Sequence, residues 1–185
     1  MTTHDHPAGP PSTRDARYKE AIDRFGPALD RLARAYEADP DKRRDLIQDI
    51  HFAIWRSFDG YDERCSLRTW VYRVAHNAAT THVTRAFRLR RRQFVTLDEL
   101  EAEPESGQQP ADEALDRRWV LTRLYEVIQR FDPIDRQIIV SYLDGLEAAE
   151  IAEIVGLSRG AVAMKVHRIK RLLARHFKEG ATHAR

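Results

Sequence analysis

The side chains of this chain that are spaced for chemistry are spaced for recognition. Residues 156–178 hold seven Lys or Arg (positions 159, 165, 168, 170, 171, 175 and 178) and no acid, whereas residues 135–155 hold five acids and one Arg. Residues 64–97 hold eight Arg and no acid, with Trp70, Tyr72, His76 and Asn77 interspersed. Cations at that density neutralise phosphates, and rings and side-chain amides stack on and hydrogen-bond unpaired bases, so this stretch suits a single strand. A third cluster has the opposite character. Asp45, Gln48, Asp49, Phe52 and Trp55 fall at or beyond the edges of a helical apolar stripe, an acidic and aromatic surface suited to a protein partner. Periodicity alone equally allows Phe52 and Trp55 to be core.

Spacing supports no nucleophile and no metal centre. His76 and His82 are six apart and do not share a helix face, and His4 and His6 have no further ligand nearby. There is no phosphate-cradling Gly-rich loop, no Ser/His/Asp pattern and no catalytic carboxylate pair. Cys65 is the only cysteine, which excludes an intramolecular disulfide and fits a reducing cytosol, and nothing near it supplies a resolving thiol. An enzyme, a cofactor and a metal are therefore not expected. The formal net charge is only +2, so affinity for nucleic acid must come from these local patches. No apolar run approaches membrane-spanning length and no secretion signal opens the chain, so a soluble cytoplasmic protein without membrane insertion is expected.

Helices must position these residues. Few glycines and prolines in 185 residues favour an all-α chain, read as two small helical domains joined by a flexible acidic linker. Residues 1–16, rich in Pro, Thr and His, form a disordered tail. Residues 17–93 form the first domain: a helix with Ile22, Phe25, Leu29, Leu32 and Tyr36 on one face, kinked or divided at Gly26 and Pro27, then a helix over 41–58 with Leu46, Ile50, Ala53 and Ile54 inward. A loop pivoting on Gly60 leads to a basic helix over 67–87. Residues 94–116 are the linker, with eight acids and no base between 98 and 116. Residues 117–178 form a second domain of four helices, and 179–185 a tail. At its end, Ile151, Ala152 and Val155 suit a short helix ended by Gly156, and Ser158 caps a second helix burying Val162, Val166, Ile169 and Leu173. This is a helix-turn-helix whose charge lies on the element that enters a major groove. The competing structural reading is an ordinary helical hairpin with a solvated basic face.

The segments DLIQDIHFAIW, SFDGYDERCSLRTW, VYRVAHNAATTHVTR and IDRQIIVSYLDGLEAAEIAEIVGLSRGAVAMKVHRIKRLL resemble, in order and over most of the chain, regions two and four of an extracytoplasmic-function (group four) sigma factor of the sigma-70 family. The resemblance implies a non-catalytic initiation subunit whose first domain binds the clamp helices of core RNA polymerase and opens the minus-ten promoter element. Its second domain then reads the minus-thirty-five element and touches the flap. It places Asp45, Gln48, Asp49 and Phe52 in the clamp-binding motif. Asp62, Glu63, Arg64, Trp70, Arg73, Asn77, Arg85 and Arg88 belong with minus-ten DNA, the loop being where the family captures a flipped base. Ser158, Arg159, Ala163, Met164, Lys165, His167, Arg168 and Arg171 belong with minus-thirty-five DNA. Where many members have a Thr-Val-Lys-Ser-Arg run after the turn glycine, this chain has Ala161, Val162, Ala163, Met164 and Lys165, so the upstream sequence preference does not carry over. The implied partners are core polymerase, promoter DNA and an anti-sigma factor, with the free protein a monomer. Two other classes remain open at this point: a conventional helix-turn-helix regulator binding a palindromic operator, and a polymerase-binding adaptor without promoter specificity.

Overall fold

Asp39 and Pro40 punctuate the first domain. In the computed structural model, which describes residues 13–90, 95–102 and 117–178, α1 (Thr13–Tyr36) ends just before them and α2 (Pro40–Ser57) starts on them. The Asp39 carboxylate accepts from the amides of Asp41 at 2.9 Å and Lys42 at 3.4 Å, and Pro40 sits where its missing N–H leaves no helical bond unmade. A 3-10 turn, Phe58–Gly60, leads to α3 (Leu67–Arg90), capped by the Ser66 hydroxyl, which accepts from the Thr69 amide at 3.0 Å. The second domain follows as α5 (Arg117–Ile128), α6 (Pro133–Leu143), α7 (Ala148–Val155) and α8 (Arg159–Lys178), four helices as expected. Between the domains lies α4 (Leu97–Ala102). Every named element is helical among the described residues, and the one β feature is an isolated bridge between Val95 and Phe131.

Three expectations are corrected. Gly26 and Pro27 do not divide α1, which runs unbroken for 24 residues. The disordered tail expected over 1–16 does not hold for its last four residues: α1 starts at Thr13, Arg14 pairs with Asp59 at 2.8 Å and Asp15 accepts from the Trp55 indole at 2.8 Å, fixing the first helical turn. Residues 95–102 are not part of the flexible linker expected over 94–116. There Val95 donates to the Arg130 carbonyl, Thr96 caps α4 reciprocally with Glu99, and Leu97 and Leu100 are buried. Acids surround those two leucines in sequence, which hid their burial. The rest of the linker and tails, including His4 and His6, lies outside the described residues.

The core is shared between the domains. Leu29, Leu32, Leu46, Ile50, Ile54 and Val71 of the first belong to one apolar cluster with Ile128, Phe131, Ile139, Ile169 and Leu172 of the second. A second cluster sets Ala28 and Tyr72 among Ile138, Leu146, Ile151, Ile154, Val162 and Val166. Among the described residues no helix is long and apolar enough to cross a membrane.

Candidate nucleic-acid interface

Helix α2 has a dry face and a wet one. Leu46, Ile50 and Ile54, four apart, are fully buried, and the opposite side exposes Asp45, Gln48, Asp49 and Phe52. The open choice between core and surface resolves differently for the two rings. Phe52 is 61% exposed, whereas Trp55 is half-buried beneath the Arg14 guanidinium, 3.6 Å from its ring centre, and is tied to α1 through Asp15. Phe52 stacks on Trp55 at 6.2 Å with the planes 28° apart, so a fixed indole supports a solvated phenyl ring.

The loop over 61–66 is braced from α1. Arg17 donates to the Tyr61 carbonyl at 3.3 Å and pairs with Glu63, and the Tyr61 hydroxyl donates to the Cys65 carbonyl at 3.0 Å. The pivot is Glu63, in the left-handed region at φ 62°, and not Gly60, which lies in the 3-10 turn. Asp62 accepts from the Arg64 backbone amide and guanidinium, which hold its carboxyl below the usual carboxylate range. An open cleft of about 500 Å³ is lined by Arg17, Glu20, Tyr61, Glu63, Arg64, Cys65, Ser66 and Leu67. Both charge signs and a ring border a space large enough for a base. Arg17 and Glu20 had no signal in the sequence, lying more than forty positions from the loop they line.

Helix α3 divides the minus-ten set. Asn77 and Arg85 are exposed and Arg73 is half-buried, while the Arg88 side chain lies outside the described residues. Asn77 does not line the loop cleft; it lies ten residues past Leu67, about 15 Å along the helix at 1.5 Å per residue. Of the rings read as a stacking surface, Trp70 is half-buried, its indole donating to the Ser57 hydroxyl at 2.9 Å and its ring packed 5.2 Å from Tyr61. Tyr72 and His76 are buried. At helical spacing, positions 72, 76, 79 and 83 form one inward stripe, so the charge run described only the other side of the helix.

In the second domain, Gly156 takes φ 72° to end α7 and the Ser158 hydroxyl accepts from the Ala161 amide at 3.2 Å to start α8. Val162, Val166, Ile169 and Leu173 are buried as their spacing predicts. Ser158, Arg159, Ala163, Met164, His167 and Arg171 are exposed, Met164 at 75%. Lys165 and Arg168 face the flank: Lys165 pairs with Asp135 at 2.6 Å and Arg168 with Asp98 of α4. Burial, with Asp132 alongside, pushes the Asp135 carboxyl up to about 6 against the pull of Lys165.

The chain as a whole is similar to known proteins. Residues 21–89 match the family model Sigma-70 region 2, and residues 121–173 match Sigma-70, region 4. The chain is 28% identical over 155 residues to the RNA polymerase sigma factor NccH of Alcaligenes xylosoxydans xylosoxydans, covering 83% of this chain and 82% of that one. It is 22% identical over 139 residues to the ECF RNA polymerase sigma factor SigX of Bacillus subtilis, covering 75% and 72%. Among solved structures it is similar to the sigma factor RpoE in complex with the anti-sigma factor NepR from Bartonella quintana, with a TM-score of 0.64 at 21% identity over 87% of this chain and 96% of that one. A second is CnrH in complex with the cytosolic domain of CnrY, with a TM-score of 0.60 at 21% identity over 88% of each.

Proposed function

The chain belongs to the sigma-70 family of RNA polymerase sigma factors, in the extracytoplasmic-function group, and from that membership we propose how its surfaces divide the work of initiation. A sigma factor is a non-catalytic subunit that binds core polymerase and selects promoters. The exposed row Asp45, Gln48, Asp49 and Phe52 on α2 is the core-polymerase contact. Its acids steer the encounter with a basic partner, and Phe52 supplies the apolar anchor.

Downstream DNA lies along the outer side of α3, with Arg73, Asn77 and Arg85 tracking the strand. The cleft bordered by Arg17, Glu63 and Arg64 takes a base extruded from the stack, offsetting the few kcal/mol of unstacking with hydrogen bonds to its edge. Trp70 acts by holding the loop and not as a stacking platform. Upstream DNA meets α8 through Arg159, Ala163, Met164, His167 and Arg171, where exposed small and apolar side chains among the cations suit contact with a thymine methyl. Work of this kind places the protein in the cytoplasm, and an anti-sigma factor of the sort that accompanies RpoE is its natural regulator.

The observation that carries this reading is the exposed acidic and aromatic face of α2 on the same chain as a helix-turn-helix. A conventional regulator has no use for the first. Run-off transcription with core polymerase and a genomic promoter pool tests it. The expected result is defined start sites that require this protein; tight binding of a palindrome by the free protein, with no start-site choice, would favour the regulator.

A further inference from the structure

The loop that borders the cleft holds a conformation that side chains seldom adopt. Glu63 has φ 62°, the one positive value at a non-glycine position among the described residues, where a Cβ crowds the backbone carbonyl. Such a conformation persists only where surrounding contacts over-determine it. Those contacts come from α1. Arg17 uses two nitrogens, one donating to the Tyr61 carbonyl at 3.3 Å and one pairing with the Glu63 carboxylate at 2.5 Å, so it grips the loop on both sides of Asp62. Its guanidinium also lies 5.4 Å from the centre of the Tyr61 ring, which packs in turn on Phe58 at 5.9 Å and on Trp70 at 5.2 Å. Glu20, which lines the same cleft, is paired with Arg24 at 2.8 Å.

This brace precedes the part of the chain that the family model covers. The match to region 2 begins at residue 21, and Arg17 lies about one helical turn ahead of it. The Glu63 carboxylate, exposed at the edge of the cleft, would repel a phosphate, and Arg17 compensates it at contact distance. A loop fixed at Tyr61 and Glu63 presents its polar groups at set distances, so hydrogen bonds to an extruded base require little further ordering of the chain. Discrimination depends on that fixity. Donors and acceptors held in place reject a base whose edge leaves them unpaired, whereas a mobile loop accommodates it.

We propose that Arg17 is a positioning residue for minus-ten reading: from the first turns of α1, ahead of the matched region 2, it sets the conformation of the 61–66 loop and thereby which extruded base the cleft accepts. The inference rests on the sigma-factor reading.

The test compares Arg17→Ala and Arg17→Lys with wild type, each bound to core polymerase. The templates are a promoter from the run-off selection and versions of it carrying the other bases, or an abasic nucleotide, at each minus-ten position. Affinity for core polymerase and the thermal melt should match wild type. Permanganate reactivity of promoter thymines should show Arg17→Ala losing opening by roughly tenfold at the preferred base of one position and relaxing the preference there. An abasic nucleotide at that position should erase the difference, because no base is left to hold. Lysine keeps the charge without the planar fork and should restore only part of the loss. Full rescue by lysine would make Arg17 an attracting charge, and a loss of equal size on every template, the abasic one included, would make it a packing residue. Either result overturns the proposal, as does wild-type opening and selectivity in Arg17→Ala. In the free chain, amide hydrogen exchange over 61–66 should rise about threefold or more in Arg17→Ala while α2 and α3 stay unchanged. Equal exchange in the two proteins overturns the brace whatever the chain does with polymerase. If wild type with core polymerase opens no promoter, the sigma-factor reading is what fails, and the exchange arm still decides whether Arg17 sets the loop.

Discussion

Phe52 stands in water on a helix whose other side is sealed, and such a position separates binding from stability. Phe52→Ala is expected to leave the thermal melt within about 0.5 kcal/mol of wild type. Affinity for core polymerase should fall by about 2 kcal/mol or more. A lowered melt with unchanged polymerase binding would make the ring structural. Lys165 and Arg159 separate in a related way. Lys165→Ala leaves the buried Asp135 carboxylate without its cation and should destabilise the domain by about 1–3 kcal/mol at pH 7, a loss that shrinks below pH 6 as Asp135 takes up a proton. Arg159→Ala should leave the melt unchanged and cost about 1–3 kcal/mol of upstream-duplex affinity if it reads a base. His76 gives the chain an acid sensitivity. Burial lowers it to about 3 from an ordinary 6.5, so the native state excludes a proton that the unfolded chain binds. Its stabilising contribution is complete above pH 6.5 and is lost as pH falls toward 3. Asp135, raised to about 6, works against it between pH 6 and its ordinary 3.8. Comparison with His76→Gln isolates the histidine: denaturant melts from pH 7 to 4 should show the advantage of wild type over the variant shrinking by about 1.4 kcal/mol per pH unit below 6.5. A gap constant with pH would mean that His76 titrates alike folded and unfolded.

Among the elements, the short helix α4 depends on a few side chains. Six residues are too few for a helix to persist by propensity, so α4 is held by the burial of Leu97 and Leu100 and by the reciprocal cap between Thr96 and Glu99. Leu100→Ala should cost about 2–4 kcal/mol and release the segment. Limited proteolysis would then cut within 95–102 at conditions where wild type resists, and Arg168, freed from Asp98, should bind upstream duplex more tightly. Resistance equal to wild type would show that Asp98 and the cap suffice.

At the scale of the molecule, the shared core predicts cooperative behaviour. Trp55 and Trp70 report on the first domain and Trp119 on the second, and their unfolding transitions should coincide. Tyr72→Ala, which removes a first-domain ring from the second domain's cluster, should lower both together by about 3–5 kcal/mol. Two separated transitions in the wild-type chain would mean that the domains fold independently and that the shared core contributes little.

The sequence by itself determined what local chemistry can specify. Asp39, Pro40, Asp132 and Pro133 mark helix starts, Gly156 and Ser158 form the turn, and four-residue spacing sorts Leu46 from Phe52 and Val162 from Met164, because caps and periodicity act within a few residues. The run of motifs also carried the family. Only the tertiary structure decided where a residue's partner comes from another element. Arg17 reaches the loop from α1, and Tyr72 and His76 turn inward, although the charge run had placed them on a basic surface. Leu97 and Leu100 find a core that an acidic stretch gives no local reason to expect. The polar contact between the domains at Asp144, whose carboxylate pairs with Arg31 and whose carbonyl accepts from Arg68, is of the same kind. Its two cations lie 113 and 76 positions away, and no spacing within the sequence encodes which arginine a distant carboxylate will meet once the apolar stripes have packed.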